Sequence, residues 1–129
     1  MRLLLDTHVL LWAISDPDRL DRGTRDLLED AANEVLFSAA SIWEIAIKAR
    51  LGRADFAVRP KEVAREARMT GFVELPVSAD VAALVADLPL HHRDPFDRLL
   101  VAQAMAEPTR LYTADPLLPP YSELVQLIA

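Results

Sequence analysis

Short apolar runs alternate along the chain with longer segments of three-to-four-residue periodicity. Leu3-Leu4-Leu5 ends directly in Asp6, which predicts a buried strand over Arg2 to Asp6. Helical spacing follows from Thr7 to Ser15 and stops at Ser15-Asp16-Pro17-Asp18. A second helix is predicted from Thr24 to Ala32, with Leu27, Leu28 and Ala31 on one face. Val35-Leu36-Phe37 marks a strand over Glu34 to Ser38. Ser41 to Leu51 reads as a helix closed by Gly52, and Pro60 to Thr70 as another closed by Gly71. Phe72 to Leu75 is a strand stopped by Pro76, and Ser78 caps a helix running to Leu88. Asp94 to Ala106 is the last long helix, followed by strands at Arg110 to Thr113 and Leu124 to Leu127.

Strands separated by helices imply crossover connections, and so an α/β fold with a mainly parallel sheet. No repeat or linker divides the chain, so residues 1–129 are expected to form one domain. The composition agrees. Apolar residues make up 52% of the chain and aromatics only 6%, which suits aliphatic helices packed on a sheet. No cysteine is present, which removes disulfides and thiolate metal sites from consideration. Asp6 and His8 interrupt the first apolar run too early for a signal peptide, and no apolar run is long enough to span a membrane. The expected location is the cytoplasm.

In a parallel sheet with right-handed crossovers, ligands bind beyond the carboxyl ends of the strands, where strand order reverses. Two apolar strands deliver an acid to that edge, at Asp6 and at Asp115. Glu44 and Asp97 stand near the starts of helices that leave the same edge. Each acid alone has a structural explanation. Asp6 would cap the helix beginning at Thr7. Glu44 completes a Ser-x-x-Glu capping box with Ser41 and lies four residues before Lys48. Asp94 caps the helix that has Pro95 in its first position, with Asp97 in the dipole-favoured first turn. Asp115 precedes Pro116 and would open a turn. Four converging carboxylates repel one another, however, and a hard divalent cation relieves that repulsion.

Mg²⁺ is the expected cofactor, with Mn²⁺ as a substitute, because the available ligands are oxygens. The three histidines lack the spacing of a helical zinc pair. His91-His92 reads as exposed loop, and His8 as a neighbour supporting Asp6. The net charge of −6 opposes nucleic-acid binding on average, but it is unevenly spread. Between Ile45 and Gly71 lie seven basic residues, including Arg50, Arg53 and Arg65, against three acidic ones. That stretch is either a solvated helical face or a track for phosphates.

Leu5-Asp6-Thr7-His8, Ser41 to Lys48, Arg93 to Ala104 and Thr113-Ala114-Asp115 together resemble the PIN-domain toxins of VapBC toxin–antitoxin pairs, over essentially the whole chain. The resemblance implies a three-layer α/β/α fold and an acidic, metal-holding site of Asp6, Glu44, Asp97 and Asp115, with Asp94 as the neighbouring alternative to Asp97 and with Glu44 also expected to orient or deprotonate the attacking water. It implies a metal-dependent endoribonuclease, the toxin of a type II toxin–antitoxin system, acting on RNA. Thr7 and Thr113 match small hydroxyl residues flanking the acids and are expected at the substrate. His8 departs from the Asn or Ser of many relatives. The implied partners are a cognate antitoxin and a second copy of the chain. Two competing readings exist. A phosphatase or phosphotransferase with Asp6 as nucleophile would want a second Asp where His8 stands. A PIN-like module used only for binding would be expected to lack one of the acids.

Overall fold

The computed structural model describes residues 1–128. Five strands form one parallel sheet: β1 (Arg2–Leu5), β2 (Glu34–Ser38), β3 (Val73–Leu75), β4 (Arg110–Thr113) and β5 (Val125–Leu127), in the order β3-β2-β1-β4-β5. Every neighbouring pair is parallel, with Leu4 opposite Leu36 on one side and Leu111 on the other. From β1 the chain builds outward through β2 to β3, then returns across β1 to place β4. The switch point therefore lies between β1 and β4, beside Asp6 and the residues after Thr113.

Among the described residues six α-helices connect the strands: α1 (Thr7–Ser15), α2 (Arg22–Glu29), α3 (Ala39–Arg50), α4 (Pro60–Thr70), α5 (Ala79–Leu84) and α6 (Pro95–Ala106). Alternation along β1 divides the core. Leu3 and Leu5 pack with Val9, Leu10, Ile45, Val63 and Ala67 of α1, α3 and α4. Leu4 packs on the opposite face with Leu100, Val101 and Ala104 of α6. The result is a three-layer α/β/α fold, and burial on both faces explains why β1 is an unbroken apolar run.

The helix starts account for most differences from the sequence expectations. The second helix begins at Arg22, because the Asp21 carboxylate accepts from the Thr24 amide as its cap. The third begins at Ala39, because the Ser38 hydroxyl accepts from the Ala40 amide. Ser41 is thus inside the helix, the expected capping box with Glu44 does not form, and Glu44 sits in the second turn. The helix capped by Ser78 tightens into a 3₁₀ turn at Val85–Asp87. At the end of α4 the backbone enters the left-handed region at Gly71 (φ 100°), as its glycine predicts.

Candidate active site

The carboxyl edge at the switch point holds a concavity of about 380 Å³ lined by Asp6, Glu44, Asp94, Asp97, Asp115 and His92, with Lys48 and Trp12 at its walls. Strand β1 delivers Asp6, which caps α1 through an Oδ1 bond from the Val9 amide (2.8 Å). Its other oxygen accepts from the Thr113 hydroxyl at the end of β4 (2.5 Å). The Thr113 oxygen in turn accepts from the Asp115 amide (3.0 Å), so two neighbouring strands and the loop after β4 are tied through one hydroxyl. Burial pushes the Asp6 carboxyl above the usual carboxylate range, and the bonds from Thr113 and Val9 oppose that shift.

Helix α3 delivers Glu44, which is buried with both oxygens engaged. Oε1 accepts from the Thr7 hydroxyl (2.5 Å) and Oε2 from Lys48 Nζ (2.5 Å). Lys48 Nζ also lies 3.8 Å from Asp94 Oδ2 and over the Phe56 ring, 5.0 Å from its centre. The helical Glu44–Lys48 pair expected from spacing is therefore present, but it is a wall of the site rather than a solvated ion pair. Asp94 serves as the cap of α6, accepting from the amides of Phe96 (2.8 Å) and Asp97 (3.0 Å). Asp97 is left free of capping duty and faces the concavity. Burial, followed by the nearby charges of Asp94, Asp6 and Glu44, pushes its carboxyl up to about 7, with His92 pulling the other way.

His92 is the residue that sequence reasoning missed. Expected in an exposed loop, it is largely buried, with Nε2 2.7 Å from Asp115 Oδ2 and 3.3 Å from Asp97 Oδ2. The Asp94 amide donates to its Nδ1 (3.1 Å), so the proton of the neutral ring sits on Nε2 and is shared between the two carboxylates. Its loop is held by two residues far away in sequence. The Tyr121 hydroxyl accepts from the amides of His91 (3.1 Å) and His92 (2.8 Å). The Arg98 guanidinium donates to the carbonyls of Val85 and Pro89 and to the Tyr121 hydroxyl. No periodicity along the chain carries those contacts.

The remaining expectations fall out unevenly. Thr7 and Thr113 are buried and their hydroxyls are bound to Glu44 and Asp6, so they orient the acids and do not face a substrate. Among the described residues His8 is hydrogen-bonded to Asp55 and not to Asp6; its Nε2 lies 3.1 Å from Asp55 Oδ2 and its ring packs edge-on against Phe56. His91 packs against Tyr121. Arg50, Arg53 and Arg65 are exposed and none lines the concavity.

The donor set bears on the expected metal. Oxygens of Asp97 and Asp115 and Nε2 of His92 lie within 4.8 Å of one another. With the ring proton on Nε2, the nitrogen acts as a donor toward the acids, and the open ligands are all carboxylate oxygens. A hard, oxygen-seeking cation that keeps some of its waters fits that set and the space around it.

The comparisons with known proteins agree with this geometry. The PIN-domain family model matches residues 3–119. Ribonuclease VapC22 of Mycobacterium tuberculosis is 32% identical over 117 residues, which cover 88% of this chain and 86% of that protein. The chain also superposes on a solved structure, VapBC2 from Rickettsia felis bound to a DNA fragment from their promoter. That match has a TM-score of 0.68 at 15% identity over 100% of both chains, a likeness that shows the fold alone. The extent of the family match and the identity to the mycobacterial protein show that the chain belongs to the PIN-domain family, as a VapC-type member.

Proposed function

We propose that the protein is a Mg²⁺-dependent endoribonuclease, the toxin of a type II toxin–antitoxin pair acting in the cytoplasm, with Mn²⁺ able to replace Mg²⁺. The observation that carries this reading is the gathering of Asp6, Asp97 and Asp115 around one concavity at the switch point, with Glu44 in its wall. Asp6, Asp97 and Asp115 would hold the metal. Bound there, Mg²⁺ would supply Lewis-acid polarisation of a phosphoryl oxygen and a lowered pKa for an attacking water. In the hydrolysis, water adds to phosphorus, the bond to one ribose oxygen breaks, and that oxygen takes a proton.

The protein's own residues set the stage for that step. Thr113 and the Val9 amide fix both oxygens of Asp6, and His92 fixes one oxygen of Asp115. The Glu44–Lys48 pair places a cation at the wall, where it offsets the repulsion between acids and substrate phosphate. Asp6 with both oxygens bound and little surface exposed is poorly suited to act as a covalent nucleophile, which argues against the phosphotransferase reading. Single-stranded or looped RNA is the proposed substrate, since unpaired bases can be splayed into a cleft.

The proposed partners are a cognate antitoxin and a second copy of the chain. The exposed apolar side chains of Trp43 and Ile47 on α3 and of Leu51 at its C-terminal cap, spaced four residues apart, support the second. Among the described residues no helix is long and apolar enough to cross a membrane.

Calorimetry with Mn²⁺ and cleavage of a single-stranded RNA with Mg²⁺ test the nuclease reading. Wild type is expected to bind and cleave. Asp6→Asn and Asp97→Asn are expected to fold, to lose most metal binding and to cleave at least ~100-fold more slowly, as when a transition-state charge stabiliser is removed. Undiminished metal binding in both variants would refute the assignment, as would cleavage of a phosphomonoester in preference to RNA.

A further inference from the structure

A second concavity, of about 330 Å³, adjoins the acidic one and shares His8 and Trp12 with it. Ser15, Asp16, Arg19 and Asp55 complete its polar lining. Trp12 and Arg19 form one stacked unit, with the guanidinium carbon 4.6 Å from the centre of the indole. Arg19 is exposed, and among the described residues no carboxylate pairs with it. Its position is set by an aromatic ring, so its plane and its charge both remain available to a ligand.

The chemistry of this surface discriminates between the parts of a nucleotide. Asp16 and Asp55 in the lining oppose a phosphate, whereas they do not repel a neutral base. A flat aromatic ring finds a stacking partner in the Arg19–Trp12 unit, because bases stack on guanidinium planes and on indoles alike. The carboxylates and the Ser15 hydroxyl are acceptors for exocyclic amino groups. The phosphate-binding role expected of Arg50, Arg53 and Arg65 has no counterpart at either concavity.

We infer that the Trp12–Arg19 concavity is a nucleobase subsite, which stacks a base next to the phosphodiester held at the acidic site and favours bases bearing an amino group, adenine, cytosine or guanine, over uracil. This rests on the nuclease reading and adds to it the course of the RNA strand. His8, tied to Asp55 at 3.1 Å, forms the partition between the two concavities.

The test is the affinity of short oligoadenylate, oligocytidylate and oligouridylate for an Asp97→Asn protein that binds without cutting. The parent is expected to bind the first two more tightly than oligouridylate. Adding Trp12→Ala is expected to weaken oligoadenylate roughly tenfold or more, in line with loss of one base stack. Trp12→Phe should recover most of that loss. Because Trp12 also packs against the core, Arg19→Ala at an exposed position provides a second reading and is expected to act in the same direction. In a Trp43→Phe background, oligoadenylate should quench the remaining Trp12 fluorescence. Unchanged affinity in both Trp12→Ala and Arg19→Ala overturns the subsite while leaving the nuclease reading in place, as does equal binding of the three oligomers by the parent. Failure of the parent to bind any RNA overturns the subsite, and it overturns the nuclease reading too when wild type with Mg²⁺ cuts no RNA.

Discussion

Asp97 is a side chain whose acidity the fold changes strongly. Its carboxyl is pushed up to about 7 by burial and by the acids around it. A carboxyl that binds its proton more tightly when folded contributes stability at low pH. That contribution is lost as pH rises from the unfolded value near 4 through about 7. Asp97→Asn should therefore raise the melting temperature of the metal-free protein at pH 8, by an amount equivalent to at most about 4 kcal/mol. Near pH 5 the gain should shrink. Thermal melts in a chelator at the two pH values check this, and an equal effect at both would contradict it.

His92 makes an opposite prediction at the same scale. Its Nε2–H links Asp97 and Asp115, so His92→Phe should lower Mn²⁺ affinity by ~10- to 100-fold, as loss of an outer-shell hydrogen bond to a ligand does. His92→Gln places an amide donor near the same point and should recover part of the loss. Calorimetric titration distinguishes the two. The acids were legible in the sequence because strand ends and helix starts place them. His92 was not, because Arg98 and Tyr121 aim it through contacts that no local pattern encodes.

Helix α3 carries the clearest consequence among the elements. Its amphipathic pattern shows that a helix exists, but its start depends on which hydroxyl reaches an orphan amide. Ser38 wins because strand β2 ends there with its side chain buried, donating to Gln103 Oε1 (2.5 Å) while it caps Ala40. Ser41, which fits the local capping signature better, is instead drawn into the core beside Thr7 (3.0 Å). Ser38→Ala should destabilise the fold by about 1–3 kcal/mol, since both a cap and a buried partner of Gln103 are lost. Urea unfolding measures this, and Ser41→Ala is the comparison that separates the two assignments. The outer face of α3 makes a separate prediction. Trp43 is 60% exposed and packs edge-on against Phe96, 5.2 Å between ring centres. Trp43→Glu should shift the chain toward monomer in sedimentation velocity if this stripe joins two copies. An unchanged association state would remove α3 from the interface.

At the scale of the molecule, alternating strand and helix signals were sufficient to read a parallel sheet, because crossovers leave few other arrangements. The course of charge over the surface was less legible. Sequence proximity grouped Arg50, Arg53 and Arg65 into a track, whereas folding leaves all three outside the acidic concavity. On the proposed RNA substrate their expected influence is the long-range kind that salt screens within ~10 Å at 0.1 M. Replacing all three by Gln should weaken RNA binding at 50 mM salt and leave it nearly unchanged at 300 mM. A loss that persists at high salt would place one of them in direct contact with phosphate.

The bond from Thr113 to Asp6 gives the site a second identity. Asp6 accepts a hydrogen bond from the strand next door, and its own amide donates to the Tyr112 carbonyl (3.0 Å). The residue that would hold the metal is thus also a rivet between β1 and β4, at the seam where the two halves of the sheet meet. Truncating it to alanine, the usual route to a dead enzyme, would remove ligand and rivet together and confuse a chemical defect with a mechanical one. Asparagine keeps an oxygen for the Val9 amide and turns an amide donor toward the Thr113 oxygen, so it preserves a side-chain link across the seam and gives the cleaner silent control. A loosened seam in the alanine protein should show as faster amide exchange along β4 before any metal is added.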